Sequence, residues 1–182
     1  ANKNLDTAKS LSKMLSTDYY HISSSSDVVG VEVCAAIKNI FSMIIGAAPG
    51  LNKIKNKDNL FLNTAAALVK QSIYEMEVFT EFLKGKKETV KGLAGLGDLY
   101  VSAAGGRNSK MGSFIGEGII YSEAKKTKMP NVTIEGAELI FEIGKKVKED
   151  FNEKKLPLMI SLIDAILEDK ILKINWENFN ND

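Results

Sequence analysis

Residues 28–48 read VVGVEVCAAIKNIFSMIIGAA, and this stretch is apolar almost all the way round a helix. Glu32, Lys38 and Asn39 interrupt it. Its length approaches that of a membrane span, but the charges stand inside it and no basic cluster flanks it, so it reads as the central buried helix of a globular domain. Gly50, just past Pro49, predicts its stop. A helix buried on all sides needs other helices around it. From 57 to 83, Leu60, Thr64, Ala67, Leu68, Ile73, Met76 and Phe79 or Thr80 recur at helical spacing, and Gly85 closes the run. Another helix is predicted to open at Arg107 or Asn108, with amphipathic helices at 137–143 and 159–167 and Pro157 in the first turn of the last. The expected fold class of residues 27–182 is all-α, a multi-helix domain.

The head, residues 1–26, reads differently. Residues 4–15 place Leu5, Ala8, Leu11, Met14 and Leu15 on one helical face, with Asn4 or Asp6 near the start to satisfy free amides. After Ser16-Thr17-Asp18, the run YYHIS at 19–23 has the aromatic and β-branched content of a short strand. One strand cannot satisfy its own backbone, so the head reads as the end of a sheet domain, or as a small appendage paired elsewhere in this chain or on another subunit. His21 on that strand is read as structural.

The chain has 182 residues, 45% of them apolar, and a net charge of +1. That is enough for one buried core, and it offers no global attraction for nucleic acid or an anionic membrane, so neither is an expected partner. Any anion must be caught locally. Cys34 is the single cysteine, set among apolar residues, and reads as a core side chain. The opening ANKNLDTAKS lacks the apolar core of a signal peptide, which points to the cytoplasm. No metal site is expected.

The polar residues inside the helical pattern carry the chemistry. Lys38 has no polar stripe to lead it to water, so it either snorkels out or stands at an internal cleft, where it can exchange a proton. Asn39 points about 100° away round the helix. Between the helices, residues 92–108 read GLAGLGDLYVSAAGGRN. Its first three glycines are spaced G-x-x-G-x-G, which is not the dinucleotide fingerprint, and Asp98 after them is placed to cap a short helix. Gly105-Gly106-Arg107-Asn108 would bring free amides, a guanidinium and an amide donor to a helix N-terminus, an arrangement suited to phosphate. An ordinary turn with a surface arginine satisfies the same residues.

The blocks DVVGVEVCAAIKNIFSMIIG at 27–46, NTAAALVKQSIYEM at 63–76, GLAGLGDLYVSAAGGRN at 92–108 and TIEG at 133–136 together resemble the substrate-binding half of NAD(P)-dependent glycerol-3-phosphate dehydrogenase. The resemblance implies a helical domain of the kind shared with 6-phosphogluconate dehydrogenase, preceded by the last helix and strand of a Rossmann domain. It implies a homodimer that interconverts dihydroxyacetone phosphate and sn-glycerol 3-phosphate with NAD or NADP. On its terms Lys38 exchanges the proton at the C2 oxygen, and Asp98 lies near the lysine or the reacting hydroxyl. Asn39 and Ser102 contact substrate, and Arg107 and Asn108 hold the phosphate. Arg107, Thr133 and Glu135 approach the cofactor.

Two departures stand out: Lys70-Gln71-Ser72 replaces the family's common Thr-Arg-Gly, and the loop before Arg107 is shorter than in many bacterial members. A dehydrogenase of a hydroxy acid or sugar acid, and a non-catalytic helical interaction module, are the other classes open at the level of sequence.

Overall fold

The computed structural model describes residues 1–55 and 62–180. The described residues form nine α-helices, a π turn and a 3-10 turn, and no strand occurs among them. The helices are α1 (Leu5–Leu15), α2 (Val28–Lys55), α3 (Leu62–Phe82), α4 (Lys87–Val90), α5 (Asp98–Gly105), α6 (Arg107–Gly116), α7 (Tyr121–Thr127), α8 (Glu135–Asp150) and α9 (Pro157–Leu167). The all-α expectation holds. Residues 57–61 of the second expected helix lie outside the described residues.

The head corrects the sequence reading in one respect. α1 forms as expected, with the Asn4 side chain accepting from the amides of Asp6 and Thr7. YYHIS, however, pairs with nothing as a strand. Without a neighbouring strand its backbone turns to local partners: Ile22 donates to Ser16 Oγ at 3.1 Å, the Ser12 hydroxyl donates to the Ile22 carbonyl, and Thr17 N–H donates to Tyr20 O at 2.8 Å. Leu11, Met14, Leu15, Tyr19 and Tyr20 are exposed, so the apolar face of α1 is covered only at Ala8. His21 is exposed as well.

α2 is the axis of the body, with Cys34, Ile37, Phe41, Ile44 and Ala48 buried and α3, α5, α6 and α8 packed around it. The helix does not stop at Gly50. It runs on to Lys55, with Pro49 on an exposed position. Gly50 is instead a close-contact residue, since a Cβ there would lie 2.1 Å from the Ser113 carbonyl oxygen of α6. Gly112 is its counterpart on α6, where a Cβ would lie 1.8 Å from the Met43 carbonyl oxygen. The two helices therefore meet backbone to backbone, which sets the N-terminus of α6 against the middle of α2.

α3 closes through Lys84, which takes the left-handed conformation at φ 69°, while the Gly85 amide bonds back to Thr80 O at 2.9 Å. Beyond α4, the π turn Leu93–Gly97 leads straight into α5. Asp98 does not cap α5, because the backbone is already helical at Gly97; the carboxylate is left free to point elsewhere. Pro157 stands at the start of α9 as expected. The tail then returns over α3, where the Asn180 amide donates to Gln71 Oε1 at 2.9 Å.

Candidate active site

Four helices deliver the polar residues. Lys38 and Asn39 lie mid-way along α2; Asp98 and Ser102 stand one turn apart on α5; Arg107 and Asn108 open α6; Glu135 opens α8. α5, α6 and α8 all pack on α2, and α5 adjoins α6, so residues far apart in sequence come together around α2.

Lys38 Nζ donates to Asp98 Oδ2 at 2.5 Å. The lysine side chain is 19% exposed and the aspartate 37%, so the pair is in reach of water without lying open to it. The Lys38 ammonium is therefore held by a carboxylate sixty residues further on. The ammonium keeps two further N–H groups for another acceptor.

Asn39 ties this pair to a second cluster. Its Oδ1 accepts from Asn108 Nδ2 at 3.2 Å, and the same Nδ2 donates to Glu135 Oε2, also at 3.2 Å. Asn108 Oδ1 in turn accepts the Gly136 amide at 2.9 Å, which fixes which way the buried amide faces. Glu135 Oε1 pairs with the Arg107 guanidinium. Arg107 and Glu135 are 55% and 42% exposed, so this cluster opens to solvent. Gly136 is needed for the approach, since a Cβ there would lie 2.6 Å from the Asn39 carbonyl oxygen.

Lys38 and Asp98 thus form one contact pair, and Asn39, Arg107, Asn108 and Glu135 a second set, the two meeting at the adjacent positions 38 and 39 of α2. Ser102 makes no described side-chain contact with them, its carbonyl only closing α5 by accepting from the Gly106 amide at 3.1 Å, and Thr133 is exposed in the turn before α8. The sequence reading did not foresee that Glu135 pairs with Arg107 or that Gly136 orients Asn108. Both are contacts between helix starts roughly a helix pair apart in the chain, and no local pattern signals them.

The sequence model of the family described as "NAD-dependent glycerol-3-phosphate dehydrogenase C-terminus" matches residues 27–174. The chain belongs to this family. It is similar to the glycerol-3-phosphate dehydrogenase [NAD(P)+] of Thermotoga sp. (strain RQ2), 31% identical over 167 residues, which are 91% of this chain and 49% of that protein. The enzyme of the same name from Onion yellows phytoplasma (strain OY-M) is 36% identical over 143 residues, 77% of this chain and 41% of the relative. Among solved structures, the glycerol-3-phosphate dehydrogenase from Coxiella burnetii superposes with a TM-score of 0.74 at 29% identity, covering 92% of this chain and 49% of that one. The chain therefore spans about half the length of the relatives it matches.

Proposed function

We propose that this chain is the catalytic, substrate-binding half of an oxidoreductase that interconverts dihydroxyacetone phosphate and sn-glycerol 3-phosphate. The observation that carries the reading is that two adjacent residues of α2 hold the two functional clusters: Lys38 pairs with Asp98, and Asn39 bonds Asn108 beside Arg107. A proton-bearing amine and a forked anion binder on neighbouring positions suit a small phosphorylated ketone. Family membership and the relatives' names support the same choice over a hydroxy-acid dehydrogenase or a non-catalytic module.

NAD or NADP, when bound, supplies or accepts the hydride at C2. The chain's own part is the proton and the positioning. In the direction of reduction, Lys38 gives a proton from Nζ to the C2 oxygen as charge develops there and recovers one from solvent, while Asp98 fixes the ammonium in place. Asn39 and Ser102 orient the substrate, and Arg107 and Asn108 take the phosphate through charge-assisted hydrogen bonds. Glu135 and Thr133, at the exposed rim, face the cofactor together with Arg107.

In this reading residues 1–26 close a dinucleotide-binding domain and residues 27–182 form the substrate domain. The exposed apolar residues of α1 are the face that packs on the rest of the first domain. The complete protein works in the cytoplasm as a homodimer, with neither nucleic acid nor membrane as partner. The present chain alone is inactive, because most of the cofactor site is elsewhere.

The test is Lys38→Ala in the full-length protein. kcat for dihydroxyacetone phosphate falls by roughly 100-fold or more, the scale for losing a positioned acid, with a smaller effect on substrate binding. An unchanged kcat would remove Lys38 from the chemistry. Turnover of dihydroxyacetone phosphate by residues 1–182 alone would contradict the half-enzyme assignment.

A further inference from the structure

Glu135 occupies the donors that the reading above gives to phosphate. Its Oε1 faces the Arg107 guanidinium, and its Oε2 accepts from Asn108 Nδ2 at 3.2 Å. A carboxylate and a phosphate share the feature that matters here, paired anionic oxygens matched to forked N–H donors. Without ligand, then, the site already holds an anion, and that anion belongs to the chain. Asn108 has no donor to spare, since both Nδ2 contacts go to Asn39 and Glu135 and its oxygen is bound by the Gly136 amide.

Two features make the contact releasable. The Arg107–Glu135 pair is 55% and 42% exposed, and pairs of that kind hold weakly against solvent. Glu135 is also the first residue of α8, where the free amides and dipole of a helix start favour a carboxylate after the guanidinium has turned away. A phosphate monoester carries a charge of about −1.5 to −2 near neutral pH, so Arg107 attracts it more strongly than it attracts a single carboxylate.

Resting on the assignment of Arg107 and Asn108 to phosphate, we propose that Glu135 is a displaceable latch: it holds both donors in place, and so lowers the affinity of any anion that needs them, until a phosphate monoester takes them over. A singly charged carboxylate ligand offers these donors nothing that Glu135 does not already supply. A dianion does, so a phosphate monoester displaces the latch at lower concentration than a carboxylate, while the latch itself costs both ligands the same factor.

The test titrates residues 1–182 with sn-glycerol 3-phosphate and with glycerate at constant ionic strength, following the Arg107 side-chain N–H and the Gly136 amide by NMR. In Glu135→Gln, sn-glycerol 3-phosphate binds roughly two- to fivefold tighter, the scale of one exposed ion pair. Glycerate tightens by no larger a factor, because the contact is removed for both ligands alike. Glu138→Gln removes the same charge from the first turn of α8 without touching Arg107, and leaves both affinities within about twofold of the starting protein. Equal tightening in both variants would mean a general charge effect and overturn the latch. Unchanged or weaker phosphate binding in Glu135→Gln, with binding lost in Arg107→Lys, would make Glu135 a fixed support; the latch would fall and the phosphate site would stand. Absence of phosphate binding in every protein, with Arg107→Lys indistinguishable from the starting chain, would overturn both.

Discussion

Glu75 and Met159 are 84 positions apart, and the wholly buried carboxylate of the first accepts the backbone N–H of the second at 2.9 Å. The Leu158 amide donates to the same carboxylate at 2.8 Å and Gln71 Nε2 at 3.1 Å. Glu75 thus caps α9 from α3, just past Pro157, which has no N–H to satisfy.

Burial pushes the Glu75 carboxyl up from 4.5 to about 7, against the pull of its three donors. An acid whose folded value is raised binds its proton more tightly in the folded chain. Its contribution is therefore fully present below pH 4.5 and lost as pH rises through about 7. That rise corresponds to a loss on the order of 3 kcal/mol. Urea unfolding at pH 5 and pH 8 measures it, and the Glu75→Gln variant lacks this part of the pH dependence. Parallel pH profiles for the two proteins would show that Glu75 does not titrate there.

Asp27 gives the opposite sign. It accepts from the Gly30 amide at 3.0 Å, the Lys86 amide at 2.9 Å and the Thr89 hydroxyl at 2.6 Å, pinning the start of α2 to the start of α4. Burial raises its carboxyl, but the Thr89 hydroxyl and the two amides together outweigh that and hold it below 3.8. The stabilisation is present above pH 3.8 and is lost as pH falls through the lower folded value. Asp27→Ala destabilises by about 2 kcal/mol near neutral pH, from a lost helix cap and stranded donors. A change under about 0.5 kcal/mol in urea unfolding would argue against this role.

Arg107→Lys separates phosphate recognition from general attraction. The charge stays, but an ammonium cannot reproduce the fork, so in the full-length protein the KM for dihydroxyacetone phosphate rises roughly ten- to a hundredfold. Dihydroxyacetone, which has no phosphate, shows a much smaller change in kcat/KM. Equal fractional losses for the two substrates would assign Arg107 to the cofactor or the fold.

Gly112→Ala places a methyl 1.8 Å from the Met43 carbonyl oxygen, a contact only backbone movement can relieve. The expected cost is about 1–3 kcal/mol. Because α6 carries Arg107 and Asn108, the shift also weakens the Asn39–Asn108 bond, visible as chemical-shift changes at the Gly136 amide. Unaltered stability would mean that α2 and α6 separate freely.

Helix placement was legible before any contact was known. The apolar run of α2, the repeat spacing of α3, and Pro157 at the start of α9 are local signals, set by the period of the helix and the geometry of its first turn. The same is true of Lys38, Asp98 and Arg107 as polar residues out of keeping with their surroundings. What local pattern does not encode is the partner. Pro49-Gly50 reads as a stop until α6 lies against Gly50, and YYHIS reads as a strand until no other strand is there to receive its hydrogen bonds. Asp98 reads as a cap, yet the π turn before it has already made the backbone helical, and its carboxylate goes to Lys38. Glu75 under α9 and Glu135 on Arg107 follow the same rule. A buried or half-buried charge takes whichever complementary group the packed helices bring within about 3 Å, and that distance is decided only when the backbones close on one another.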